Sequence, residues 1–218
     1  MEEFTKKYDE ILKLFCIEHP IGYSSKEIQE AEKKVGKIPA ALRYFYEKYA
    51  DSEELHGLQD EMILPDYYPA LLNDDYIIFF NENQGVCHAG IRKVDAEMID
   101  PPVYTSMDNK EWCLSAEKVS DFLVAMFGYQ ASICLEYNPE EFYFLEEEEI
   151  AQIEEHFPKL PESFKNWLDC EIVLYGEGCE GRIALMIQGE DIQMNYAAHS
   201  EEAYEKMNHL LCDIGEEM

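Results

Sequence analysis

At Tyr76 the apolar residues of this chain change their period, and that change restricts the fold more than any other feature. Upstream, Phe4, Tyr8, Ile11, Leu12 and Phe15 recur at the spacing of one buried helix face. His19-Pro20 and Gly22 interrupt the pattern. Ser24 followed by Glu27 has the form of a capping box, and Ile28, Ala31 and Val35 carry one face onward until Gly36 ends it. Ile38-Pro39 opens a third helix, with the proline near its first turn and Leu42, Phe45, Tyr46 and Tyr49 as its buried stripe. Then Tyr76-Ile77-Ile78-Phe79-Phe80 is apolar on both faces, as a central strand is. Helices followed by turn-linked strands predict an α+β fold with a mixed or antiparallel central sheet flanked by helices.

The segment 51–73 reads as polar loop, broken by a short apolar piece at Met62–Leu64. Asn81 to Gly85 supplies a turn, and Val86 to Lys93 a second strand. Asp100-Pro101-Pro102 is a connector and Glu111 to Leu114 a short strand. Ser115 is expected to cap a helix faced by Val119, Phe122, Leu123, Met126 and Phe127, with Gly128 stopping it. Ile133–Tyr137 and Phe142–Leu145 read as strands, Glu146 starts an acidic helix with Ile150, Ile153 and Phe157 inside, and Phe164, Trp167 and Leu168 suggest a short helix. Strands follow at Ile172–Tyr175, Arg182–Ile187 and Ile192–Tyr196, and Ser200 caps a last helix carrying Ala203, Met207, Leu210 and Leu211. The division expected is an α+β domain over 1–130 and a C-terminal α+β extension over 131–218, separate or packed into the same globule. The order strand, glycine turn, strand, strand, helix over 77–127 recurs over 172–211. A diverged duplication and the ordinary recurrence of meander-plus-helix would each produce it.

The charge is unusual. Lys+Arg number 17 against 47 Asp+Glu, a net charge of −30. No Lys or Arg lies between Lys48 and Arg92, a stretch with nine acids, and none lies between Lys118 and Lys159, a stretch with ten. Such a surface repels nucleic acid and anionic lipid, and attracts and steers basic proteins. The hydrophobic content of 47% supplies a core, so the charge belongs on the surface. No apolar run approaches the roughly 20 residues of a membrane span. The seven cysteines are scattered and form no C-x-x-C pair, which predicts free thiols and a reducing cytoplasm.

No organised chemistry is evident. The six histidines show neither H-x-x-x-H nor H-E-x-x-H spacing, so no metal site and no cofactor is expected. Cys87 and His88 are adjacent in a strand and point to opposite faces. Asp74-Asp75 and Glu146–Glu149 provide carboxylate pairs for a hydrolase or a magnesium site, but runs of glutamate are usually solvated helix face. The glycines at 176, 178 and 181 are interleaved with acids that would repel phosphate, which favours a hairpin turn. The best interface candidates are Tyr67 and Tyr68 with Asp66, Asp74 and Asp75 around them, together with Asp51, Glu53, Glu54 and Glu82. The alternative is that one tyrosine packs inward and the rest is solvent loop.

Three segments carry a family resemblance. Ile38-Pro39-Ala40-Ala41-Leu42-Arg43-Tyr44-Phe45-Tyr46-Glu47-Lys48-Tyr49-Ala50 resembles the N-terminal motif of the SUKH superfamily, a proline-opened helix with Leu-Arg and later aromatics. Ile78-Phe79-Phe80-Asn81-Glu82-Asn83-Gln84-Gly85 is similar to its central strand and turn. Trp112 with Ser115, Phe122 and Leu123 is similar to its closing strand and helix. Together they span roughly residues 24–128. Ala50 stands where the family usually has glycine, Val86-Cys87-His88 stands where a Gly-Asp pair often follows, and residues 135–218 have no counterpart. The resemblance implies a mixed-sheet α+β fold and a bacterial immunity protein that binds and neutralises a toxin domain, commonly a nuclease. The expectation is therefore a non-enzymatic binder of a basic toxin. A regulatory scaffold for a basic cellular protein is the alternative, and a carboxylate-dependent hydrolase comes third.

Overall fold

The three N-terminal apolar stripes are helices α1 (Glu3–Leu14), α2 (Ser25–Val35) and α3 (Ala40–Lys48) in the computed structural model, which describes residues 3–68, 73–139 and 142–217. Ser24 caps α2 as its spacing implies: the hydroxyl accepts from the Glu27 amide, and the Glu27 carboxylate accepts from the Ser24 amide at 2.8 Å. Phe45 of α3 packs edge-on to Tyr8 of α1 with centroids 5.1 Å apart.

Strands β1 (Glu61–Met62), β2 (Tyr76–Asn81), β3 (His88–Arg92), β4 (Val103–Ser106) and β5 (Cys113–Ala116) form an antiparallel sheet in sequential order. β4 has no periodic signal of its own. It follows Pro101-Pro102 directly and is made a strand by pairing with β3 and β5. Helix α4 (Val119–Cys134) comes next, and two expectations are corrected there. Ser115 is not its cap: it lies in β5, and its hydroxyl donates to the Lys165 carbonyl at 2.6 Å. Gly128 does not stop the helix, which continues through Ile133 where a strand was expected. A Cβ on Gly128 would sit 2.7 Å from Leu174 Cδ1, so this glycine serves close helix–sheet contact.

Beyond α4 come β6 (Tyr143–Leu145), α5 (Ile150–His156), β7 (Phe164–Trp167), β8 (Cys170–Tyr175), β9 (Gly181–Gln188), β10 (Asp191–Ala198), α6 (Glu201–Leu211) and β11 (Glu216–Glu217). They build a second antiparallel sheet of order β11-β6-β10-β9-β8-β7. The helix expected around Phe164 and Trp167 is strand β7. Asn166 sits at φ 62 in a register shift between Lys165 and Trp167, and the extra residue leaves both aromatics buried. The bulge thus mimics a helical i, i+3 spacing.

α4 is the hub of the molecule. Its Phe127 stacks on Phe45 at 5.4 Å, and its Phe122 meets Phe79 at 5.6 Å and Phe164 at 5.3 Å, so one helix touches the helical layer and both sheets. The main core therefore runs from Phe4 to Ala197 and draws on residues either side of position 130. Alternation along β8 assigns Ile172 and Leu174 to that core, and Val173 and Tyr175 to a second one under α5 and α6. Both segments noted in the sequence run as sequential antiparallel strands followed by a helix. They differ in packing, because α4 lies between the sheets whereas α6 covers the far face of the second.

Candidate functional site

The acidic segment after α3 is held to the core by alternate residues. Ser52 is buried, its hydroxyl accepting from the Ile21 amide at 2.9 Å. Leu55, Asp60, Ile63 and Tyr68 also turn inward, while Glu53, Glu54, Glu61, Asp66 and Tyr67 face solvent. The Ile63 amide donates to the Phe79 carbonyl at 2.9 Å, which ties the segment to the edge of β2.

Between this segment, the end of β2 and α4 lies an open cleft of about 330 Å³. That is the small end of the roughly 300–1,000 Å³ typical of ligand pockets. Its floor is apolar, with Leu55, Ile63, Leu64 and Phe127. Its polar wall is His56, Asp60, Glu61 and Asn81, and none of its lining residues is Lys or Arg. Tyr67, 68% exposed, stands at the rim.

Asp60 is the most unusual group in this wall. It is only 4% exposed, and its carboxylate accepts from Gln130 Nε2 and Trp167 Nε1, both at 3.1 Å, and from the Asn83 amide at 3.2 Å. One side chain thus braces the loop to α4, to β7 and to the β2–β3 turn. Burial pushes its pKa up to about 6, against three hydrogen bonds that favour the anion, and nearby Glu82 pushes the same way as burial. No Lys or Arg pairs with Asp60 or Glu61 among the described residues.

The acids and tyrosines singled out in the sequence divide into four groups. Asp51 and Asp66 converge on Tyr23, where burial foremost and then these two carboxylates raise the phenol's pKa. Glu53, Glu54 and Tyr67 are exposed near the cleft. Asp74 and Asp75 are exposed too, but at the opposite end of β2 from Asn81, six residues or about 20 Å away, beside Lys93. Tyr68 and Glu82 are not displayed. Tyr68 is 2% exposed, with its hydroxyl 3.0 Å from that of Tyr46, so it is the inward-packing tyrosine of the pair. Glu82 folds over its own turn, accepting from the Gln84 amide at 2.9 Å and the Val86 amide at 3.2 Å. Asp60 and Glu61 were legible only as two more acids in a charged stretch, and nothing in their spacing signals the cleft.

The other chemical candidates find structural employment. His88 Nδ1 lies 3.0 Å from Asn81 Oδ1. Burial pushes the Cys87 thiol up to about 11, so it is protonated at neutral pH and a poor nucleophile. Glu146 and Glu149 form a reciprocal cap at the start of the acidic helical segment. In the turn after β8 the Gly178 and Gly181 carbonyls each accept from Arg182 Nη1 at 2.8 Å. Among the described residues no group of three or more His, Cys, Asp or Glu is placed to hold a metal ion, and no helix is long and apolar enough to cross a membrane. Comparison with family models, curated proteins and solved structures returns no match.

Proposed function

We propose that this chain is a non-catalytic binding protein of the immunity type, which neutralises a basic toxin domain such as a nuclease inside the bacterial cell that encodes both. The observation that carries the reading is the cleft: an apolar floor walled by Asp60 and Glu61, free of Lys and Arg, with an exposed tyrosine at its rim. An exposed aromatic supplies contact area at low entropic cost, and the acids select the sign of the partner. The net charge of −30 extends that selection over the whole surface and accelerates encounter. The SUKH resemblance of residues 24–128 points the same way. A nuclease has a basic substrate groove, which an acidic protein can occupy.

The test is capture of the partner from the organism that encodes the chain, followed by binding kinetics at about 0.05 and 0.5 M salt, across which the Debye length falls severalfold. The reading expects a basic protein whose association slows with salt. It also expects Glu61→Lys with Asp66→Lys to weaken binding by at least tenfold, because a like charge repels as well as failing to attract. Asp74→Lys with Asp75→Lys, at the far end of β2, gives the comparison that locates the surface. Association indifferent to salt and to both reversals would remove the electrostatic reading.

A further inference from the structure

The lining of the cleft includes a buried carboxylate that is hydrogen-bonded but has no counter-charge. Asp60 is satisfied by neutral donors, the Gln130 amide, the Trp167 indole and the Asn83 backbone, and by no cation. Buried carboxylates are ordinarily paired with a positive group, since their desolvation is otherwise weakly offset. Here Glu61 adds a second acid on the same wall, and Glu82 stands close enough to raise the proton affinity of Asp60 further. Beneath these acids the floor is apolar, which suits an aliphatic stem and not a hydrated ion.

We propose that the cleft is the receptor for a single arginine side chain of the partner protein, its methylenes on Leu55, Leu64 and Phe127, its guanidinium drawn to Asp60 and Glu61 and covered by Tyr67. Arginine fits better than lysine on three counts. Its planar fork meets carboxylates in pairs, it stacks on an aromatic face, and it is the less hydrated cation, so entry into a half-enclosed site costs less. This inference rests on the reading of the chain as a binder of basic protein, and it names the group by which that partner would be held.

The experiment needs no partner. The full chain, labelled with nitrogen-15, is titrated with N-acetyl-arginine methylamide, with the lysine analogue, and with the neutral isostere N-acetyl-citrulline methylamide. Three resonances report on the carboxylate directly: the Trp167 indole N–H, the Gln130 side-chain amide and the Asn83 backbone amide. The arginine probe should shift all three saturably, the lysine probe more weakly, and citrulline at least tenfold more weakly still. Glu61→Gln, an exposed position that leaves the core untouched, should weaken the arginine probe severalfold. Asp60→Asn should reduce it to the citrulline level. Equal response to arginine and citrulline, or shifts confined to other surfaces, would overturn the proposal. If it fails in this way while a captured basic protein still binds with salt dependence, the partner uses another acidic surface and the broader reading survives. If arginine binds as expected but no basic partner is captured, the broader reading fails and the cleft assignment stands.

Discussion

Replacing Asp60 by asparagine isolates the energetic cost of its buried charge. In the folded chain its pKa is raised from 3.8 to about 6, because burial disfavours the anion more than three hydrogen bonds favour it. At about 1.4 kcal/mol for each tenfold change in proton affinity, the difference is worth about 3 kcal/mol. The sign follows from linkage. Between the two pKa values the folded state binds more protons than the unfolded state, so stability falls as pH rises. The contribution is fully present below about pH 4 and lost above about pH 6. Asparagine at position 60 cannot ionise, so the variant lacks this decline. It offers one oxygen in place of two, however, and its amide would face one of the three donors, at a cost of about 1–3 kcal/mol at every pH. The assay is urea unfolding of both proteins between pH 4 and 8. The stability difference, variant minus wild type, should rise by about 2–3 kcal/mol across that range, with half of the change complete at about pH 5. A flat difference curve, or one that falls with pH, would refute the argument, because the carboxylate would then be as well solvated in the folded chain as in the unfolded one.

The remaining predictions concern the core and the first sheet. Phe45→Ala removes a fully buried ring that meets Tyr8, Tyr49 and Phe127, and should cost about 3–5 kcal/mol in denaturant unfolding. That is a large share of the roughly 5–15 kcal/mol that holds a domain together, and a loss below 1 kcal/mol would mean that α3 is not a core element. Gly90→Ala places a methyl 2.9 Å from the Trp112 ring, which stacks on Tyr76 at 4.1 Å. It should cost about 1–3 kcal/mol and change the Trp112 fluorescence, whereas unchanged stability and emission would show the ring to be free to move.

A buried carboxylate that lowers stability at neutral pH is a local conflict of the kind that functional sites retain. It also marks the limit of what sequence could reveal. The helical stripe at Leu42 and Phe45, the capping box at Ser24 and Glu27, and the double-faced apolar run Tyr76–Phe80 are decided by neighbours within a few residues. They therefore appeared in the structure as the sequence implies. So did the cap at Ser200, whose hydroxyl accepts from the Ala203 amide at 3.3 Å. Where a residue's role depends on a remote partner, local pattern misled. Gly128 resembles a helix stop, but Leu174 gives it its purpose; Phe164 and Trp167 resemble a helix face, but β8 and the Asn166 bulge make them a strand.

The site divides along the same line. The run of acids without a base between Lys48 and Arg92 is written in the sequence, and it sets the sign of the local charge by composition alone. Which of those acids share a surface is a matter of chain path. Asp74 and Asp75 are separated from the cleft by the length of β2, and Tyr68 is turned inward onto Tyr46. Asp60 is carried under Gln130, 70 residues away, and Trp167, 107 residues away. Charge is additive along a chain and so can be read from it. Burial and hydrogen bonding are properties of groups brought together from distant positions, and only the folded core fixes them.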